Sequence, residues 1–377
     1  MTGRLNVGIV ADLLSERWVS MDLVADRLME HLSRTSAASG IDASLIRPAF
    51  PASLLSRAPV GRTLERYRRR FMTYPSWLAA HRGDRGVFHI VDHSYAHLAH
   101  ALPAERVIVT CHDADAFLPL VDPTLTGSRL PRTLVRRVLT GMQRAALVVC
   151  PSAATRDELV HYGLVEQARV SVVPNGVDPS FRSSPDNAAL ETIRGIAGDP
   201  GVLDILHVGT TIARKRIEVL LQVVAAVRER EPRARLLKVG GAFTTEQQAL
   251  VTRLGLDDAV VRFPFVSTQV LAALYQRAHV VVLTSDREGF GLPLAEALAA
   301  GTPVVASDIP VFREVGGEAA HFCRLDRVGD WTDAVFAAAG ATSDADRQRR
   351  RAQVAAFSWD HYACSMAALY RRVADGL

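Results

Sequence analysis

Lysine is nearly missing from this 377-residue chain: of 44 basic residues, only Lys215 and Lys238 are lysines and the rest are arginines. That scarcity makes Lys215, which sits in a motif below, mildly informative, although genome composition produces the same bias. Cysteine is scarce as well. Cys111, Cys150, Cys323 and Cys364 stand too far apart for a disulfide framework or for the paired spacing of a zinc site, so reduced thiols are expected. No stretch approaches the roughly 18 apolar residues of a membrane span, and the chain enters a strand-like LNVGIV with no signal-peptide pattern before it. The expectation is a cytoplasmic protein. Low-complexity tracts and internal repeats are also missing.

What is present is a globular composition, 49% hydrophobic and 22% charged, long enough for two α/β domains. The net charge of +4 belongs to the first half, where residues 1–180 hold 21 arginines against 17 acids. Part of that surplus is Arg57, Arg62, Arg66, Arg68, Arg69 and Arg70, opposed only by Glu65. Helical spacing puts Leu64, Tyr67 and Phe71 on one stripe and Arg62, Arg66 and Arg69 on another. Two readings stay open: a surface helix with its apolar stripe in the core, or a basic helix resting on an anionic membrane or a lipid-linked acceptor. Nucleic acid is not expected, since no recognition motif or aromatic platform accompanies the arginines.

Strand-like runs at 5–10, 87–91, 106–110, 144–151 and 169–173 alternate with helical patterns, as in a parallel sheet. Two of them end in polar clusters: Asp92, His93, Ser94 and Tyr95, then His112, Asp113 and Asp115. Ligands of open α/β sheets gather at such strand ends. The turn at Pro174, Asn175 and Gly176 precedes a linker expected at 178–190, and a second series of strands begins at 203–209, 236–241, 260–265 and 280–284. Arg214 and Lys215 precede a helix whose apolar residues Ile217, Leu220, Leu221, Val224 and Val227 recur at helical spacing, a position where dipole and side-chain charge act together on a phosphate.

The densest stretch is 285–301, SDREGFGLPLAEALAAG. Pro293 suits the first helical turn and Gly301 the residue after the last. Glu288 is therefore expected in a loop and Glu296 on the helix. Small residues at Gly289 and Gly291 let the N–H groups of Phe290, Gly291 and Leu292 approach a ligand, while carboxylates accept from sugar hydroxyls.

The pattern E-G-F-G-L-P-x-x-E followed by A-x-G-x-P-V-V-A-S resembles the signature of family 4 glycosyltransferases, retaining enzymes of the GT-B fold. V-G-x-x-x-x-R-K at 208–215 resembles their diphosphate loop, with Thr210 where some members have arginine. VTCHDADAFL resembles their His-containing loop, and P-N-G-V-D marks their approach to the hinge. ADLLSERWVS at 11–20 lacks the Gly-Gly pair that many relatives carry. The resemblance implies two Rossmann-like α/β domains facing each other across a cleft: 1–180 for the acceptor, 187–358 for the nucleotide-sugar, with a final helix from Trp359 packing back on the first. It implies transfer of a hexosyl group from a GDP-mannose-like or UDP-sugar donor to an acceptor hydroxyl of a lipid-linked sugar, glycan or polysaccharide precursor, with retention.

Catalysis is then expected of His112, Arg214, Lys215 and Glu288, and donor binding of Phe290, Gly291, Leu292, Glu296 and, through the base, Val266. A weaker acceptor assignment covers Asp92, His93, Tyr95 and Asp113. No cofactor and no metal are expected, because the Asp113-Ala-Asp115 triplet belongs to the metal sites of a different glycosyltransferase fold. A dehydrogenase is disfavoured, since no strand leads into G-x-G-x-x-G. A catalytically silent nucleotide-sugar-binding scaffold remains the alternative, kept open by Thr210 and the glycine-free first loop.

Overall fold

The fold is given by a computed structural model that describes residues 4–16, 19–50, 59–122, 131–196 and 201–376. Arg57, positions 17–18 of the first loop and 123–130 of the proline-containing segment after Phe117 lie outside the described residues. The chain divides into two units, Met1–Gly176 with Trp359–Leu377, and Val177–Ser358. The stretch 178–190, expected as a linker, belongs to the second unit: Asp178 caps a short turn, Pro179–Phe181, and Asp186 caps the helix Asn187–Thr192.

In the first unit a six-stranded parallel sheet runs in the order β2-β1-β3-β4-β5-β6. Its strands are β1 (Leu5–Val10), β2 (Ile41–Ile46), β3 (Val87–Ile90), β4 (Val107–Thr110), β5 (Leu147–Cys150) and β6 (Val170–Val172). β3, β4 and β5 are buried throughout, which is why they read as unbroken apolar runs. β2 escaped the sequence reading because it is an edge strand of mixed polarity, IDASLI, with Leu45 exposed. The helix Val19–Ser39 carries the chain from β1 to β2, while β3 pairs on the other side of β1. The order therefore reverses between β1 and β3, and the loops above that point are where a ligand crevice forms.

The helix Trp359–Ala374 closes this unit by burying Trp359, Tyr362, Met366 and Tyr370 among Val7, Ile9, Leu28 and Val149. Polar contacts fix its rotation: His89 Nδ1 meets the Tyr370 hydroxyl at 2.8 Å, and His31 Nδ1 meets Asp360 at 2.5 Å.

The basic segment departs from its expected stripe. Helix Pro59–Arg68 passes into a wide π turn, Arg69–Thr73, and then into helix Tyr74–His81. The wide turn rotates the first helix relative to the second. Leu64 is 62% exposed, whereas Glu65, Arg70, Phe71, Tyr74 and Leu78 are buried.

The second unit repeats the architecture with β7 (Asp204–Val208), β8 (Arg235–Val239), β9 (Val260–Phe263), β10 (Val280–Leu283), β11 (Val304–Ser307) and β12 (His321–Cys323). Its order is β12-β11-β10-β7-β8-β9, all parallel, and it reverses between β7 and β10. β9 ends before Pro264, which has no N–H to give the ladder. No helix among the described residues is long and apolar enough to cross a membrane.

Candidate functional site

The loops after β7 and β10 meet at the reversal of the second sheet. After Gly209 the chain makes a short turn, Ala213–Lys215, and enters helix Ile217–Arg230 through Arg216, the one non-glycine residue with positive φ among those described. The Thr284 hydroxyl donates to the carbonyls of Lys215 and Arg216, at 2.9 and 3.2 Å, and the Asp286 N–H donates to the Arg214 carbonyl at 2.9 Å. These bonds hold the two loops in register.

Glu288 sits between the cations they carry. Its Oε2 accepts from Arg214 at 2.6 Å, and its Oε1 accepts from the Lys215 ammonium and, at 2.7 Å, from the Ser285 hydroxyl. Burial alone would raise this carboxyl, but Lys215 and Arg214 overcome it and hold it down at about 2. The group is thus a carboxylate with two cations around it, a net positive site on a loop that leads into a helix, suited to a dianion.

The helix Leu292–Ala300 starts at Gly291, with Pro293 in its first turn, and ends at Gly301, both glycines being left-handed at φ 84°. A β-carbon on Gly291 would also lie 2.8 Å from the Phe312 ring. Gly291 supplies no side-chain cap, Pro293 has no N–H, and the Leu294 N–H donates to the Gly291 carbonyl at 2.9 Å, so the Leu292 N–H is the one this helix start can offer a ligand. Phe290 is buried edge-on against Phe357 at 5.3 Å, which leaves its backbone as the part able to meet a ligand. Glu296, half-buried on the helix, accepts from the Tyr275 hydroxyl at 2.9 Å. Burial pushes its carboxyl up to about 7, Tyr275 opposing and Asp178 adding. Val266 is half-buried, next to Phe265 at 63% exposure, on the loop after β9.

In the first unit the polar clusters form a largely internal floor. Asp92 is fully buried and accepts from the N–H of Ser94 at 2.8 Å and from its hydroxyl at 2.5 Å. Tyr95 is fully buried, its hydroxyl accepting from the Leu13 N–H at 3.3 Å. Both serve the packing of the unit, so of the four acceptor residues only His93 and Asp113 stay near a surface. The His93 ring reaches toward Asp113, 3.8 Å from Nε2, and its Nδ1 accepts the His112 N–H at 3.2 Å. His112 Nε2 faces the Val91 carbonyl at 2.8 Å and must carry the proton there, leaving Nδ1 as an acceptor; burial lowers its pKa and favours this neutral form.

Beneath these lie residues the sequence reading did not single out. Asp12, two residues after β1, is buried against Asp92; burial first, then that neighbour, push its carboxyl well up. Arg70 donates to Glu16 at 3.1 Å and to the Ser94 carbonyl, with its guanidinium 4.4 Å from the Tyr95 ring centroid. An acid closing a buried strand was the available signal for Asp12. Arg70 had none, being one arginine in a run of six.

Comparisons with known proteins agree with this geometry. Residues 192–336 match the family described as Glycosyl transferases group 1, and residues 25–181 match Glycosyltransferase Family 4. Among curated relatives, the D-inositol 3-phosphate glycosyltransferase of Nocardia farcinica is 33% identical over 57% of this chain and 50% of its own length. The MMP alpha-(1->4)-mannosyltransferase of Mycolicibacterium hassiacum is 32% identical over 60% of this chain and 54% of its own. The chain thus spans about half the length of these relatives. Among solved structures, sucrose-phosphate synthase from Thermosynechococcus elongatus aligns with a TM-score of 0.75 at 20% identity, over 98% of this chain and 99% of that one. Anabaena HepE in complex with UDP-glucose aligns at 0.71 and 16% identity, over 99% and 100%. Two adjoining family matches, one for each sheet, and a Glu288–Glu296 pair set on a loop and its following helix lead to one assignment: the chain belongs to glycosyltransferase family 4, proteins of the GT-B fold.

Proposed function

We propose that the protein transfers a hexosyl group from a nucleotide-diphosphate sugar to an acceptor hydroxyl, with retention of configuration and without a metal. The carrying observation is the bridge from Glu288 to Arg214 and Lys215 at the β7/β10 reversal. A diphosphate draws both cations to itself and frees the Glu288 oxygens for the hydroxyls of the attached sugar. Departure of the diphosphate builds negative charge beside Arg214, Lys215 and the start of the helix after Gly291, and such fixed partners lower the barrier more than water does. Glu296 holds the ribose hydroxyls. Retention by front-face attack, with the leaving phosphate taking the acceptor proton, needs no protein nucleophile. In the first unit His93, Asp113 and the Nδ1 acceptor of His112 offer polar contacts to substrate hydroxyls. HepE's bound UDP-glucose supports a nucleotide-sugar donor, and the mannosyltransferase relative supports transfer of a hexosyl group.

The test is thermal-shift titration with UDP, GDP, ADP and their sugar conjugates, with EDTA present, followed by turnover with whichever conjugate binds. Saturation at 100 times Kd stabilises the folded state by about 2.7 kcal/mol. A selective shift lost in Glu296→Ala is expected. Binding without turnover on any acceptor would favour the silent scaffold instead.

A membrane-facing role for the basic segment gains one specific observation: Leu64 and Met72 are 62% and 67% exposed beside the exposed Arg62, Arg66 and Arg68. Apolar side chains set among arginines suit an anionic bilayer surface. Co-sedimentation with phosphatidylglycerol vesicles, reduced by Leu64→Asp with Met72→Asp, is the expected result; equal pelleting of both proteins removes this role.

A further inference from the structure

The chain's other lysine lies directly below the anion site. Lys238 stands in the middle of β8, between Leu237 and Val239, and is only 1% exposed. Its ammonium donates to the Gly209 carbonyl at 2.6 Å and to the Val239 carbonyl at 3.0 Å. Gly209 opens the loop that carries Arg214 and Lys215. The approach of the two strand ends is close: a β-carbon on Gly240 would lie 2.3 Å from the Gly209 oxygen. In register with Lys238 are His207 on β7 and the exposed Arg262 on β9. His207 gives its Nδ1 proton to the Val282 carbonyl at 2.9 Å, and its Nε2 is buried without a partner. Lys215 and Glu288 are the charged groups facing this row from the loops above.

A cation in a buried strand is costly unless its charge is answered, and both bonds here go to neutral carbonyls. Leucine or valine would fill the position at lower cost. We propose that Lys238 is a positioning residue of the anion site: it fixes the first peptide of the Gly209–Lys215 loop and supplies, from beneath, a positive charge that a bound nucleoside diphosphate completes. The proposal rests on the nucleotide-sugar reading above.

It has a consequence in pH. Burial lowers Lys238 to about 8, with Lys215 adding to the effect, so the ligand-free site loses this charge as pH rises through 8. A diphosphate favours the charged form and raises that value, so binding near pH 8 takes up protons.

The experiment measures affinity for UDP and GDP by calorimetry, on the full chain, from pH 7 to 9.5, for wild type and Lys238→Met. At pH 7 the variant should bind about tenfold more weakly, the size expected for one charge several ångströms from a phosphate at the effective dielectric of a protein site. At pH 9.5 the two should converge. In wild type alone, titrations at pH 8 in two buffers of different protonation enthalpy should show net proton uptake, a readout that survives even if the variant does not fold. Equal affinities at pH 7, or no proton uptake by wild type, overturns the role of Lys238 while leaving nucleotide binding intact. Failure of wild type to bind UDP or GDP at all overturns the donor reading and this inference with it.

Discussion

The two units bury charge at corresponding places, above the reversal of each sheet, and do so to different ends. In the second, Arg214 and Lys215 outnumber the one carboxylate between them, Glu288. In the first, Asp12, Glu16 and Asp92 outnumber Arg70, and burial pushes the carboxyls of Asp12 and Glu16 up, which eases the repulsion. An excess of cations where a loop turns into a helix awaits an anion. Acids locked against each other, an arginine and a tyrosine hold a loop in shape. Buried charge is therefore balanced differently in the two units: cations exceed the acid between them in one, and acids exceed their arginine in the other.

The comparison breaks first at Arg70. If it is architectural, Arg70→Met leaves Glu16 buried without its ion-pair partner and should lower unfolding free energy by about 3–5 kcal/mol in urea titration. A loss below about 1 kcal/mol would show that the floor tolerates an unpaired acid. On the other side, Lys215→Ala leaves Glu288 its second cation, Arg214, so it should cost less stability than Arg70→Met but cut transfer at least ~100-fold, the usual effect of removing a transition-state electrostatic partner. Unchanged turnover would dissolve the contrast.

Within the second unit the two glutamates should respond to pH in opposite senses. Glu288, held at about 2, adds stability above the ordinary glutamate value that is lost as pH falls through 2. Glu296, raised to about 7, adds stability at low pH that is lost as pH rises through 7. Glu296→Gln should therefore raise the melting temperature at pH 8 relative to wild type and leave it nearly unchanged at pH 5; equal shifts at both would refute its raised value. The smallest effect is expected at Asp12→Asn. Its carboxyl is pushed toward the neutral form, which an amide resembles, so the change should stay within ~0.5 kcal/mol, the range of substitutions that touch no critical interaction. A larger loss would mean that Asp12 is ionised.

Much of this was legible in the residues because local chemistry dictated it. Pro293 and Gly301 bound a helix by backbone preference alone, and the central strands announced themselves as apolar runs because both faces are covered. The spacing of Glu288 and Glu296, with Arg214 and Lys215 before a helix, marked from the chain itself the residues that the structure gathers at the β7/β10 reversal. Other features depended on contacts between segments distant in sequence. Edge strand β2 and three-residue β12 carry little pattern of their own and exist because a neighbour offers them a ladder. Leu64 left its expected stripe when a π turn and the Arg70–Glu16 pair took the inner face.

By itself, then, the sequence determined the family, the two parallel sheets and the candidate residues at the reversal of the second sheet, since each follows from backbone propensity, hydrophobic period or a short motif. Only the tertiary structure decided that Asp92 and Tyr95 are interior groups, that Glu288 is bound by both cations, and that Lys238 lies under Gly209. A charge's role depends on burial and on partners brought from elsewhere in the chain, and neither is written in the order of residues around it.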